Sequence, residues 1–239
     1  MKREVLLRSM LFCEIPEADL DKLLHCLRAE TRRYAKGGTI CRAGERAAAM
    51  GLVLSGGVNI ENDDIWGNRT ILDHVAPGQV FAEAYACAPG EPLQVSAAAA
   101  EETEVLFLQA GRLLKPCSQG CAQHSQLLRN LLVISAQKNL ILSRRMFHTA
   151  SKTIRGRLQS YFSDQAVRQG SREFSIPFNR QQLADYLGVD RSAMSHELSK
   201  MQRDGLLTYE RNQFRLAERI CTAADPVNDA QGFGKNTVH

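Results

Sequence analysis

The stretch that most constrains the fold is residues 178–216, FNRQQLADYLGVDRSAMSHELSKMQRDGLLTYERNQFRL. Leu183 and Leu187 stand at i and i+4 with the small Ala184 beside them, so one face of a short helix is apolar and open to close approach by a second. Gly188 supplies a residue free to take the left-handed turn. Met194, Leu198 and Met201 then recur at spacings of four and three, which predicts a second helix with Arg191, Ser192, Ser195 and His196 on its outer side. Asn179 with Gln182 three residues on predicts a capping box, and Phe178 with Leu183 a hydrophobic staple. Asp190 is placed to cap the second helix and Gly205 to end it. Residues 206–209 and 213–216 flank a short polar turn and predict a two-stranded wing. A polar outer face at the start of the second helix suits base reading in a major groove, whereas a hairpin packed into a core has no use for it. The segment is therefore expected to be a DNA-binding winged helix-turn-helix, with Arg180, Gln181 and Lys200 completing its DNA-facing set.

Charge follows the same division. From Arg144 to Arg219 there are 14 Lys and Arg against 8 Asp and Glu, a net of +6, while the rest of the chain carries a net of −2. The basic excess sits where phosphate attraction would use it. Apolar residues make up 44% of the 239, enough to fill two small cores. No apolar run approaches the roughly 20 residues a membrane helix needs, and the first residues are charged, so a cytoplasmic protein without a membrane partner is expected. Seven cysteines cannot all pair within one chain and read as thiols.

Four stretches precede or follow the motif. Residues 1–36 read as helical, with Leu20, Leu23, Leu24 and Leu27 on one side, up to the break at Gly37-Gly38. From residue 39 to about 108, short apolar runs alternate with turns such as Ser55-Gly56-Gly57 and Ala76-Pro77-Gly78-Gln79, the spacing of an antiparallel roll or barrel. Residues 118–148 lack proline and predict one long helix with two apolar seams. Leu127, Leu131, Ile134 and Ile141 form one seam, and Leu128, Leu132, Leu142 and Met146 the other; one is expected to cover the roll and one a second subunit. The first is the seam expected to dimerise. The end of the chain, from about residue 220, reads as a loose tail.

A roll, a long two-faced helix and a winged helix-turn-helix, in that order, resemble the CRP/FNR family of bacterial transcription regulators. The turn Pro77-Gly78-Gln79-Val80-Phe81 with Glu83, and the run Asp190-Arg191-Ser192-Ala193-Met194-Ser195, carry the resemblance. It implies an α+β chain. Residues 1–116 would form a jelly-roll-like double-stranded β-helix of the cyclic-nucleotide-binding type, 117–149 a dimerisation helix, 150–219 the DNA-binding domain and 220–239 a flexible tail. It also implies a homodimer on a palindromic double-stranded operator, RNA polymerase as a possible partner, and no enzymatic activity. No nucleophile–base pair or nucleotide-cradling glycine motif argues otherwise.

In the cyclic-nucleotide members a Gly-Glu step is followed about ten residues later by an Arg-Ser pair that holds the cyclic phosphate. The corresponding positions here are Ala82-Glu83 and Leu93-Gln94, and no Lys or Arg occurs from Thr70 to Gly111. A buried anion without a charged partner is costly, so cyclic AMP is disfavoured. Phe81, Glu83, Tyr85, Cys87, Leu93 and Gln94, with Ala86 and Val95, are the expected effector pocket, apolar enough for a flat neutral ligand, haem included, or simply for roll core. Cys117, Cys121 and His124 form the best cluster for a metal or an iron-sulfur centre, although the sequence nominates no fourth ligand and buried thiols are the plainer reading. A competing function is a ligand or redox sensor whose winged domain works mainly through protein contacts.

Overall fold

The computed structural model describes residues 2–63, 66, 69–88, 90–114 and 122–218. Two compact units divide the chain, Met1–Asn139 and Leu140–His239.

The first unit opens with helices α1 (Arg3–Arg8) and α2 (Glu17–Cys26). Leu20, Leu23, Leu24 and Leu27 are buried, as their spacing requires. The helical reading of residues 1–36 fails beyond them, because Glu30–Tyr34 is a strand, β1, paired antiparallel to a strand seventy residues on. Its sequence ETRRY has no apolar alternation because it lies at the edge of its sheet, with four of its five residues exposed. Strands β2 (Thr39–Cys41), β3 (Ala49–Ser55), β4 (Val58–Asp63), β5 (Arg69–Val75) and β6 (Val80–Phe81) follow. Helix α3 (Glu83–Cys87), strands β7 (Ser96–Ala99) and β8 (Thr103–Gln109) and the short helix α4 (Ala110–Leu113) complete the roll. Two four-stranded antiparallel sheets result, in orders β1-β8-β3-β6 and β2-β7-β4-β5.

Val53, Val58, Val75, Phe81, Ala97 and Val105 form one cluster within the roll. Phe81 lies so close to Gly51 that any Cβ there would overlap its ring, which explains a glycine in the middle of β3. A larger cluster joins Leu6, Leu11, Phe12 and the α2 leucines to Leu52, Leu106 and Leu108 of the roll.

Helix α5 (Ala122–Thr149) supplies Leu127 and Leu131 to that larger cluster, at 0% and 4% exposure, with Ile134 packed against it. These leucines are therefore unavailable to a second subunit, which corrects their assignment to dimerisation. Ile141, from the same seam, is exposed, as are Leu128, Leu132, Leu142 and Met146 of the other. For the same reason the boundary between units falls inside α5 at Asn139/Leu140, whereas the sequence set the helix apart as its own segment.

The second unit contains α6 (Ile154–Gln169), β9 (Glu173–Ser175), α7 (Arg180–Leu187), α8 (Arg191–Arg203), β10 (Leu207–Glu210) and β11 (Gln213–Leu216). Among the described residues, Leu158, Tyr161, Phe162, Leu183, Met194 and Phe214 belong to its core cluster. The wing has three strands, not two, in order β10-β11-β9, with Phe174 of β9 opposite Phe214. The expected tail, 220–239, lies outside the described residues.

Candidate nucleic-acid interface and sensor turn

The helix-turn-helix forms from its local chemistry. The Asn179 side chain accepts from the Gln182 backbone N–H at 2.9 Å and the Gln182 side chain accepts from the Asn179 N–H at 2.9 Å, the reciprocal cap the sequence predicted. Gly188 turns the chain at φ 62°. Asp190 then caps α8 by accepting from the Ala193 N–H at 2.8 Å. Leu183, Ala184 and Leu187 of α7 and Met194, Leu198 and Met201 of α8 are all essentially fully buried. Arg191, Ser192, His196 and Lys200 are exposed and Ser195 is half-buried.

Three arginines that composition counted toward phosphate attraction have internal work. Arg155 of α6 pairs with Glu197 at 2.5 Å and with Asp204 at 2.7 Å, fixing α8 at two points about two turns apart. Arg157 donates to the Leu187 and Gly188 carbonyls at 2.9 and 3.0 Å, satisfying acceptors left open at the end of α7. Arg145 donates to the Asp185 and Tyr186 carbonyls at 3.1 Å each. Sequence reasoning missed all three roles, since their partners lie 30 to 49 residues away.

Arg180 also departs from expectation. Its guanidinium lies over the Tyr209 ring, 4.7 Å from the centroid, and 5.2 Å from that of Phe214. Burial holds its pKa below the usual arginine value, with Tyr209 opposing. The side chain ties α7 to the wing through cation–π stacking rather than standing free. Gln181 is exposed and donates to Asp185 at 2.9 Å.

In the first unit, the expected pocket residues separate. Phe81 belongs to the cluster within the roll, while Ala86 and Cys87 belong to the cluster under the helices. Leu93 is buried, Tyr85 and Val95 are half-buried, and Gln94 is exposed. The turn before them is tightly held: Gly78, at φ 83°, donates to the Val53 carbonyl at 2.8 Å, and the Val53 N–H donates to Gln79 at 3.1 Å. Ala82 takes a left-handed conformation and aims Glu83 inward. There the carboxylate of Glu83, a residue 7% exposed as a whole, meets Lys138 of α5 at 2.7 Å, and the same ammonium donates to the Val80 carbonyl at 2.8 Å. The lack of Lys and Arg from Thr70 to Gly111 therefore does not leave this corner without a cation; it arrives from α5. Burial, then the Glu83 charge, pushes the Cys87 thiol up and away from reactivity. Cys117 and Cys121 lie outside the described residues. His124 is buried, with neither ring nitrogen partnered among the described residues, where no group of three potential metal ligands occurs.

Comparison with known proteins agrees with this arrangement. Residues 31–119 match the model of the cyclic nucleotide-binding domain, and residues 156–219 that of the Crp-like helix-turn-helix domain. The chain belongs to the CRP/FNR family. This CRP/FNR regulator is 25% identical to the transcriptional activator protein FnrA of Stutzerimonas stutzeri over 206 residues, covering 83% of this chain and 82% of that one. Among solved structures, CprK in complex with OCPA is similar with a TM-score of 0.59 at 17% identity, over 84% of this chain and 92% of that one. CLP of Xanthomonas campestris, described as a c-di-GMP-responsive global regulator, gives 0.53 at 19%, over 84% and 99%. Both share the α+β fold. The CRP/FNR chain is a transcription regulator with a cyclic-nucleotide-binding-type sensor domain and a DNA-binding helix-turn-helix. No helix among the described residues is long and apolar enough to cross a membrane.

Proposed function

We propose that this regulator is a homodimer that reads a palindromic operator with α8 and answers a signal other than cyclic AMP. The carrying observation is the division of α8: Met194, Leu198 and Met201 seal one side, while Arg191, Ser192 and His196 project from the other behind the Asp190 cap. Arg191 has the planar fork that takes the O6 and N7 of guanine together. Ser192 and His196 stand where other family members carry a glutamate and a second arginine. The half-site accordingly keeps the guanine opposite Arg191 and differs at the two positions those residues face. In a symmetric dimer the half-sites lie about 34 to 36 Å apart, one turn of DNA. Lys200 serves the phosphates.

The signal reading rests on Leu93 and Gln94, a buried leucine and an exposed amide where a phosphate clamp would stand, and on Lys138 being engaged by Glu83. Selection from randomised duplex DNA tests the first part, together with the salt dependence of binding, whose slope is about −0.9 per phosphate contact. A salt-independent interaction, or a selection with no preferred sequence, sinks it and favours a protein-contact role for the winged domain. Calorimetry with cyclic AMP tests the second, and saturable micromolar binding there would show that the phosphate site lies elsewhere in the roll.

A further inference from the structure

The second unit holds a cavity of about 360 Å³ that DNA reading does not use. Its walls are aromatic: Tyr161, Phe178 and Tyr186 pack with ring centroids 5.1 to 6.1 Å apart. Arg144 and Arg168 also line it, and neither donates a hydrogen bond to another described residue at normal distance; the nearest carboxylate to Arg168 is Asp164 at 3.9 Å. His148, 4% exposed, closes one side and is committed through Nδ1 to the Tyr186 hydroxyl at 2.9 Å. Tyr161 is 2% exposed, and its hydroxyl has no hydrogen-bond partner among the described residues. A buried phenol left in that state forfeits a hydrogen bond that water would have supplied. The volume is that of a small-ligand site, and Gln165 and Gln169 add amides to its polar side.

We infer that this cavity binds a small aromatic carboxylate, its ring against Phe178 and Tyr186 and its carboxylate between Arg144 and Arg168, with an oxygen within reach of the Tyr161 hydroxyl. The chemistry selects for both halves of such a ligand. Two guanidinium groups favour an anion, and flat aromatic walls favour a ring over a compact ion such as phosphate. The site lies where α5 is fastened to α7 by Arg145 and by His148 with Tyr186, so an occupant bears on the first helix of the DNA-binding motif.

Isothermal titration of the full-length protein with 4-hydroxybenzoate, and with the neutral 4-hydroxybenzamide, tests this without reference to DNA. A ligand of this size should bind once per chain with a dissociation constant of about 1 mM or tighter. The amide should bind at least about tenfold more weakly, for loss of the charge-assisted contacts. Tyr161→Phe, which preserves packing, should weaken the acid about three- to tenfold, and Arg144→Gln with Arg168→Gln should abolish saturation. Equal binding of acid and amide, or acid binding unchanged in either variant, overturns the proposal. So does the absence of saturation at tens of millimolar. If the arginine variant loses affinity for DNA while the parent protein shows no binding of the acid, the two arginines are phosphate contacts and the cavity is not a ligand site. Because the acid is titrated in the absence of DNA, failure here leaves the reading of α8 standing, and failure of that reading leaves this one.

Discussion

Lys138 Nζ stands 2.7 Å from Glu83 Oε1, joining the long helix to the first residue of α3 across 55 residues of sequence. Removing only the lysine leaves a carboxylate that is 9% exposed in its side chain without its cation, while the lysine itself is 43% exposed. Lys138→Met should therefore destabilise the first unit by about 1–2 kcal/mol, below the cost of breaking a fully buried pair. The double variant with Glu83→Gln should recover part of that loss. Thermal and urea unfolding of the four proteins of the cycle measure it; additive losses would mean that the two groups do not interact in solution.

The exposed seam of α5 makes a sharper distinction. Leu132→Glu with Leu142→Glu should give a folded monomer with weak DNA binding, because the two leucines are 69% and 66% exposed in one chain. Leu131→Glu should instead unfold the first unit, since it buries a charge among Leu11, Leu24 and Leu127 at a cost of several kcal/mol. Sedimentation and circular dichroism separate the outcomes. A folded monomer from Leu131→Glu would return the first seam to the dimer interface.

At the DNA, Arg191→Ala should cost roughly 1 to 3 kcal/mol and relax the preference at one base pair. Arg180→Ala should behave differently from a simple phosphate contact. Losing its stacking on Tyr209 should lower the melting temperature of the second unit as well as the affinity for all sequences alike. Parallel binding selections and melting curves test both. Unchanged base preference in Arg191→Ala would take α8 out of the major groove.

Burial holds the His148 imidazole below the ordinary histidine value of 6.5, with the Asp164 carboxylate opposing and Arg144 and Arg168 adding to the depression. The unfolded chain therefore takes up a proton first as pH falls. The resulting stability is complete above about pH 6.5 and is lost as pH drops toward the folded-state value. Urea midpoints of the second unit should fall between about pH 8 and about pH 5, and His148→Gln should flatten this part of the profile. An identical slope in the variant would assign the pH dependence to other groups.

How much of this was legible depended on how local each signal was. The α8 face, both caps and the Gly188 turn could be read because a helix of period 3.6 and its caps are written within a few residues. The two seams of α5 were visible for the same reason, yet periodicity cannot say which seam meets the roll; burial of Leu127 and Leu131 decides that. Strand β1 was missed because its pairing with β8 is long-range and its exposed edge carries arginines in place of alternating apolar residues. The Lys138 partner of Glu83 could not be read because it lies 55 residues away on α5. Phe81 and Cys87, six residues apart, were grouped by proximity in sequence, but the left-handed Ala82 sends them into different clusters.

The pairing of Arg155 with Glu197 and Asp204 bears on how the protein finds its site as well as how it holds it. Both acids sit on α8 or at its end, and one guanidinium from α6 offsets one of their two charges. A DNA duplex approaching that helix consequently meets Arg191, Lys200 and Arg203 with one opposing charge fewer. This favours the loose, sequence-blind encounters from which a regulator slides to its operator. Arg155 should thus bear on the speed of the search more than on the choice of bases.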